Sequence, residues 1–251
     1  MEIANHKPQE NVSFKDLLSL DQRLMPLLGD YEKSGSHLRL LYTMSHSALT
    51  LGEDHPRVYT ANQYRAFLFL SEHKDDPFNV DFILGLHRAL TGEEGGRWKS
   101  RNTYFDFPDG GFYVTTSAEQ TPEVMGALVK KYSYLNAPTE DEFEGIFEFI
   151  LHFLCVHPFL DGNGRMSSFL LQFLLYKAGL KTAIYLPIDA LLTGLNATRT
   201  SVEIRRATGS FYGMKEPVLD SFVPYMKSLI KKSYCLMIES LEDITVSCTG
   251  N

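Results

Sequence analysis

The stretch HPFLDGNGR at residues 157–165 decides how the rest of this 251-residue chain is interpreted. It joins two strongly apolar segments and concentrates an imidazole, a carboxylate, an amide and a guanidinium between them. Gly162 and Gly164 permit positive φ and allow backbone N–H groups to approach a ligand closely. The stretch runs into the start of a predicted helix, where unpaired N–H groups and the helix dipole favour an anion. It therefore predicts an anion site between two buried helices.

Three charged or titratable side chains of this stretch indicate which anion. Arg165 offers a fork of N–H donors suited to phosphate oxygens. Asp161 would repel a phosphate unless Mg²⁺ lies between them. His157 can accept a proton near neutral pH. Together they are typical of a nucleotide-phosphate site with a general base.

The alternative interpretation of the same residues is purely structural. A single histidine beside a proline at a helix end is more often a cap or a core residue, and Asp-Gly-Asn-Gly alone is more often a turn. Seven specified positions at roughly 5% usage each, however, give a chance frequency of about 10⁻⁹ per start site. The joint pattern therefore favours function.

Apolar residues at helical spacing extend through most of the chain and predict a mainly α protein. The helix after the loop is apolar on nearly every side, so we expect it to be buried, and Gly179 is its predicted end. A broken helical stretch is expected near residues 188–207 and a frayed tail over 243–251. Helices are predicted over residues 14–28, 37–51, 62–73, 81–90, 122–135, 142–156, 165–177 and 217–241.

Residues 102–116 carry the one strong β pattern. The aromatic and β-branched segments TYFDF and FYVTT flank PDGG, a turn sequence at residues 108–111. We predict a β-hairpin that lies against the helical body, because an isolated hairpin is only marginally stable.

Composition excludes several functional classes. The formal net charge of −7 argues against a protein that grips a nucleic-acid backbone over a wide surface. No apolar run reaches the length of a membrane span, and residues 1–29 lack a secretory pattern. Three cysteines, Cys155, Cys235 and Cys248, form no metal or disulfide spacing. We expect a cytoplasmic protein without membrane or nucleic-acid partners, with bacterial cytosol as the expected location.

The loop resembles the signature of the Fic family, H-x-F-x-[DE]-G-N-G-R-x-x-R, and the resemblance extends over roughly residues 81–180. Residues 95–99 resemble the G-x-x-R-like stretch before the family's hairpin, with Lys99 in place of the usual arginine. The resemblance implies a Fic-type helical bundle with one β-hairpin flap over the active-site loop. The implied organisation is an N-terminal helical extension over 1–75, a catalytic core with C-terminal helices over 76–242, and a tail over 243–251.

The family's enzymes typically transfer AMP from ATP to a protein hydroxyl, and the resemblance implies matching roles here. His157 would deprotonate the target hydroxyl. Asp161 would hold Mg²⁺ on the α- and β-phosphates, and Arg165 would grip the β-phosphate of the leaving pyrophosphate.

Other motif residues would support this chemistry. Gly162, Asn163 and Gly164 would line the α-phosphate, and Phe159 would be buried to fix the loop. The hairpin would hold the target peptide by strand addition. Its expected target-binding residues are Tyr104, Phe105, Phe112, Tyr113 and Val114.

Two departures from the family pattern leave alternatives open. The second signature arginine, which contacts an outer phosphate, is replaced by Ser168 at the nucleotide site. Many relatives also carry an inhibitory helix whose glutamate pairs with that arginine. The best counterpart, residues 46–52, has Ser47 at the motif start and Leu51 or Thr50 at the glutamate position. Loss of both partners of a buried ion pair can be nearly neutral; alternatively, this segment is only a packing helix.

The leading hypothesis is an Mg²⁺-dependent enzyme that transfers AMP from ATP to a target protein or to itself. A second hypothesis keeps the fold and changes the donor to another nucleotide, phosphocholine or phosphate. A third is a catalytically weak module that binds a nucleotide or a partner protein. The sequence leaves open the target, the modified residue and whether the chain forms a homodimer.

Overall fold

Helices make up most of the described structure. The structure is a computed structural model that describes residues 12–28, 57–106, 112–133, 139–182 and 219–249. In chain order its elements are α1 (Phe14–Leu28), α2 (Arg57–Glu72), α3 (Val80–Thr91), β1 (Tyr104–Asp106), β2 (Phe112–Val114), α4 (Thr121–Lys131), α5 (Glu140–Val156), α6 (Asn163–Lys177) and α7 (Leu219–Thr249).

Local capping explains where the helices around the site begin. The Asn79 side chain accepts a hydrogen bond of 2.8 Å from the backbone N–H of Phe82 and starts α3. Thr139 and Glu142 form a reciprocal capping box that starts α5. The capping box places the start of α5 two residues before the predicted one, because Thr139 is the N-cap and Glu142 already lies in the first turn.

The two helices that flank the loop form the centre of the core. Both α5 and α6 bury most of their residues, and they pack against each other. The prediction that the helix after the loop is buried nearly all round is confirmed. Outside this pair, α1 packs on α7 and α2 packs on α3. In addition, α3 contacts α6 and α4 contacts α5. The loop between α5 and α6 is therefore anchored at both ends in well-buried helices.

A buried polar cluster ties the N- and C-terminal helices together. Asp21 of α1 accepts hydrogen bonds from the Thr182 hydroxyl at 2.6 Å and the Tyr234 hydroxyl of α7 at 2.8 Å. Backbone N–H groups of Lys181 and Thr182 complete its shell at 3.0 and 2.8 Å. A buried carboxylate with this many donors is well satisfied, so α1, α7 and the end of α6 are held as one unit.

Several predicted bounds differ from the observed ones. The predicted helix over 14–28 matches α1, whereas α2 begins five residues before its prediction. The last helix was expected to end near residue 241, but α7 continues to Thr249, because no glycine or proline follows Pro224 until Gly250. No helix in the described ranges is long and apolar enough to cross a membrane. The predicted helix over 37–51 and the stretch 188–207 lie outside the described residues.

Strands β1 and β2 pair antiparallel in a two-stranded sheet. Tyr104 faces Val114, and Asp106 faces Phe112 in the register. The pairing continues past the strands, where the Thr115 N–H donates to the Thr103 carbonyl at 3.2 Å. The connection at 107–111 lies outside the described residues, and a flap position over the loop stays a prediction.

Candidate active site

His157 occupies the end of α5 in a left-handed conformation. Its φ and ψ are 52° and 60°, and its backbone N–H donates to the Phe153 carbonyl at 3.0 Å. Among the described residues other than glycine, it alone has positive φ. A residue with a Cβ is rare in this region and tends to occur at functional sites. The chain therefore turns sharply at the imidazole that the sequence singled out.

The environment of His157 keeps its imidazole neutral. The pKa of His157 is lowered to about 4: burial is the largest cause, the positive charge of Lys99 adds to it, and a hydrogen bond with the backbone of Leu154 opposes both. At neutral pH the ring is therefore in the form that accepts a proton.

Asn163 locks the loop on itself. Its side-chain amide donates to the Phe159 carbonyl at 2.8 Å, and its side-chain oxygen accepts from the Phe159 N–H at 2.9 Å. Both residues are buried. The side chain of Asn163 thus holds the loop, and its backbone N–H is the group that a phosphate would meet. The expected burial of Phe159 is confirmed.

The start of α6 presents backbone donors. Gly162 is the N-cap, with φ 85° and ψ 0°, and it supplies no side-chain cap. The first N–H groups of a helix have no partner within the helix. A Cβ at position 162 would lie 3.4 Å from the Cγ2 atom of Thr91 and 3.7 Å from the Nε2 atom of His87. Glycine is required here by the backbone conformation, and the closeness of Thr91 and His87 reinforces it.

Asp161 and Arg165 form an ion pair beside this helix start. The Arg165 guanidinium donates to the Asp161 carboxylate at 2.7 Å, and the Asp161 side chain is 80% exposed, against 15% for Arg165. No group of three metal-ligating side chains occurs among the described residues. One exposed carboxylate fits Mg²⁺, which at nucleotide sites takes one or two carboxylates and completes its shell with phosphate and water oxygens.

His87 and Lys99 belong to the site although the sequence assigned neither a role in it. His87 bonds the Asp161 carbonyl through Nε2 at 3.0 Å and accepts from the Gly96 N–H at Nδ1, also at 3.0 Å. Burial lowers its pKa, with smaller opposing contributions from Asp161. Lys99 contacts the backbone on either side of His157. One signal was available for His87, since it lies on the apolar stripe of the helix predicted over 81–90.

The remaining predicted site residues lie in different surroundings. Ser168 is fully buried, and its hydroxyl donates to the Gly164 carbonyl at 3.5 Å, so its contact with a nucleotide stays a prediction. Tyr104 and Val114 are exposed cross-strand partners. The structure describes Phe105, Phe112 and Tyr113 by their backbone alone, and Ser47, Thr50 and Leu51 of the expected inhibitory helix lie outside the described residues.

Sequence comparisons identify relatives for the segment that contains this site. Residues 77–175 match the model of the Fic/DOC family. Protein adenylyltransferase fic-1 of Caenorhabditis elegans is 29% identical over 126 residues, covering 49% of this chain and 23% of the relative. A Fido domain-containing protein of Dictyostelium discoideum is 36% identical over 75 residues, covering 28% of this chain and 51% of the relative. The chain therefore spans about a quarter and about half of these two relatives.

Solved structures share the fold at low sequence identity. A Fic domain containing signaling protein from Bacteroides thetaiotaomicron has a TM-score of 0.65 at 21% identity, covering 91% of this chain and 96% of that one. A Fic family protein from Desulfovibrio desulfuricans has a TM-score of 0.57 at 17% identity, covering 94% and 77%. The mainly helical Fic-type fold that the sequence predicted agrees with these neighbours.

Proposed function

Residues 77–175 match the Fic/DOC family model, and from that match we propose that the protein transfers AMP from ATP to a hydroxyl side chain of a target protein. The observation that carries this proposal is the neutral His157 imidazole at the end of α5, next to a helix start that offers backbone donors. The relative named a protein adenylyltransferase supports the same reaction.

The proposed reaction begins at the hydroxyl. Neutral His157 takes the hydroxyl proton while the oxygen forms its bond to the α-phosphorus of ATP. The bond between that phosphorus and the oxygen bridging to the β-phosphate breaks, and pyrophosphate leaves with the electron pair. The proton on His157 then passes to solvent, which restores the base. The protein's part is mostly positioning and charge stabilisation, as in other phosphoryl-type transfers.

The start of α6 and two side chains would hold the phosphates. The backbone N–H groups that begin α6 would face the α-phosphate, where negative charge develops. Arg165, released from Asp161, would bind the β-phosphate. The freed Asp161 carboxylate would hold Mg²⁺, which when bound neutralises charge on the phosphate oxygens.

A donor other than ATP is the second candidate, and Ser168 favours it. Its buried hydroxyl, which bonds the Gly164 carbonyl, cannot neutralise an outer phosphate as a guanidinium does. A donor that lacks a γ-phosphate has no need of that contact.

Mass spectrometry of labelled protein tests both candidates. The purified chain is incubated with Mg²⁺ and α-labelled ATP, CTP, GTP or UTP, or with labelled CDP-choline, a phosphocholine donor without a γ-phosphate, alone and with a host lysate. His157→Ala removes the base, and His73→Ala, which changes a partly exposed histidine directly after α2 that pairs with Asp76, is the matched control. We expect a mass increase of one AMP that disappears only in His157→Ala. No label with any donor, together with no affinity for nucleotide, would refute nucleotidyl transfer.

A further inference from the structure

Lys99, between α3 and β1, is a buried lysine. Only 3% of its surface is exposed, whereas lysines are almost never buried to this degree without a partner. A buried ammonium is costly unless its N–H groups meet acceptors. The acceptors of Lys99 are therefore fixed parts of the fold.

Two of these acceptors lie on either side of His157. The Lys99 Nζ donates to the Val156 carbonyl at 3.0 Å, and the Lys99 backbone N–H donates to the Pro158 carbonyl at 2.8 Å. The first bond satisfies a carbonyl in the last turn of α5, which has no partner within the helix. The pair of bonds encloses the one described non-glycine residue with positive φ. Such a conformation persists where the surroundings hold it.

The same ammonium reaches the base of the hairpin. Its Nζ donates to the Thr115 hydroxyl at 2.8 Å and lies 3.4 Å from the Thr103 hydroxyl. The two hydroxyls are 2.8 Å apart. Thr103 directly precedes β1 and Thr115 directly follows β2, so Lys99 connects both ends of the hairpin to the end of α5.

The charge of Lys99 opposes the effect of the α5 dipole on the protonation of His157. The C-terminal end of a helix is negative and favours a cation, which would promote the protonated imidazole at His157. Lys99 counters that effect and, after burial, contributes to the lowered pKa of His157. The other charged groups of the loop, Asp161 and Arg165, pair with each other. Burial lowers the pKa of Lys99 itself to about 8.

From these contacts we infer that Lys99 is the positioning residue of His157: it holds the backbone on both sides of the imidazole and ties that backbone to the β1–β2 hairpin. The effect of Lys99 on the position and pKa of His157 depends on the fold alone. Its effect on the rate of AMP transfer rests on the proposed function. A peptide docked on the hairpin would, through Lys99, be placed at a fixed distance from the base.

An NMR titration of the histidine ring resonances tests the inference without any assay of activity. His157→Ala assigns the His157 resonance. In the native protein we expect the His157 ring to stay neutral down to about pH 5 and its resonance to shift near pH 8, when Lys99 loses its proton. A native His157 resonance that shows no step as Lys99 titrates would overturn the inference, even if no Lys99 variant folds.

Two substitutions at Lys99 separate charge from shape. Lys99→Met keeps the length and removes the charge, so the pKa of His157 should rise by about 1 unit. Lys99→Arg keeps the charge and the donors and should restore the native value. Lys130→Met removes an exposed lysine of α4 and should change nothing. A folded Lys99→Met with the native pKa at His157 would contradict the inference.

Kinetics add a readout that a merely structural role would not move. In Lys99→Met the acid limb of the pH dependence of kcat/KM should move upward with the pKa of His157, while KM for ATP stays near native. Thr115→Val removes the hydroxyl that Lys99 and Thr103 share and spares the two Lys99 bonds beside His157; it should raise KM for the target and leave the pKa of His157 unchanged. If the native protein has no transfer activity but Lys99→Met still raises the pKa of His157, the proposed function is refuted and this inference stands. If the native protein is active but Lys99→Met leaves the pKa of His157 unchanged, this inference alone is refuted.

Discussion

The imidazole of His87 lies flat against the ring of Phe159, with ring centroids 3.6 Å apart and planes inclined by 6°. Its two nitrogens have separate tasks. Nδ1 accepts from the Gly96 N–H, so the ring proton is on Nε2, which donates to the Asp161 carbonyl. A histidine of α3 thereby supports the candidate site by ring contact with Phe159 and by a hydrogen bond to Asp161.

The two hydrogen bonds of His87 can be separated by substitution. His87→Gln keeps a donor near the position of Nε2, whereas His87→Asn keeps an acceptor near Nδ1. We expect His87→Gln to retain more affinity for Mg²⁺-ATP, because the bond to Asp161 orients the loop. Each lost bond should lower the free energy of unfolding by about 1 kcal/mol. Calorimetric titration and denaturant unfolding measure the two effects, and equal nucleotide affinity in both variants would show that Asp161 does not depend on His87.

A side chain at position 162 should disrupt the start of α6. Gly162→Ala forces an alanine into φ 85° with its Cβ 3.4 Å from Thr91, which should destabilise the fold by about 1–2 kcal/mol. Gly126→Ala is the matched control, since this glycine lies inside α4 with no atom within 4 Å of the added Cβ. The control should be stabilising by up to about 1 kcal/mol. Thermal unfolding measures both variants, and a Gly162→Ala protein with a higher unfolding temperature than Gly126→Ala would contradict the backbone conformation of Gly162.

The left-handed conformation of His157 predicts a conflict between stability and function. Glycine adopts φ 52° freely, whereas alanine does not. The free energy of unfolding of His157→Gly should therefore exceed that of His157→Ala by about 1 kcal/mol, and His157→Gly should unfold at the higher denaturant concentration. Both variants should lose transfer activity, because neither has a base. Equal stability of the two would indicate that the backbone relaxes when the imidazole is removed.

The order of the helices was predictable from the sequence because it follows local rules. The spacing of apolar residues indicated α1, α5 and α6, and the polar residues of 157–165 indicated the loop. The positions of Lys99 and His87 were not predictable in the same way. Each acts through a partner more than fifty residues away, at Val156 and Asp161. No local pattern marks a lysine that a distant helix end will bury.

The same limit applies to Asn163. Its place in the motif implies that it lines the α-phosphate, which stays a prediction, and its side-chain amide is bonded to the backbone of Phe159. A polar side chain inside a loop can satisfy either a ligand or the loop itself. Only the folded geometry of the loop distinguishes these two uses.

Acid should destabilise the protein through His152. Burial, the largest effect, lowers the pKa of His152 to about 4 from an ordinary 6.5, with Glu148 opposing it and Lys131 adding to it. Between these values the unfolded chain binds a proton that the folded chain excludes, so stability falls as pH falls through this window. From pH 7 to pH 5 the loss from this residue should be about 2 kcal/mol.

His152→Gln should reduce the acid dependence of stability, because glutamine does not titrate, and the part that remains includes buried His157. The glutamine retains a polar partner for the Tyr132 hydroxyl, which lies 3.3 Å from His152 Nδ1. His73→Gln, at a partly exposed histidine directly after α2, is the control for a histidine-to-glutamine change as such. Urea unfolding at several pH values compares the variants, and a His152→Gln protein as acid-sensitive as the native one would assign the effect elsewhere.

The ion pair between Asp161 and Arg165 should matter for ligand binding and not for folding. The Asp161 side chain is 80% exposed and that of Arg165 15%; because the carboxylate lies in solvent, we expect the pair to contribute about 1 kcal/mol or less to stability. Asp161→Ala should therefore leave the unfolding temperature near native and abolish the Mg²⁺-dependent part of ATP binding. Glu242→Ala breaks a comparable exposed pair with Arg23, 2.7 Å long and remote in sequence from the loop, and should leave both stability and ATP binding unchanged. Calorimetric titration with ATP, with and without Mg²⁺, measures the difference. If Mg²⁺ raises the affinity for ATP equally in the native protein and in Asp161→Ala, another group holds the metal.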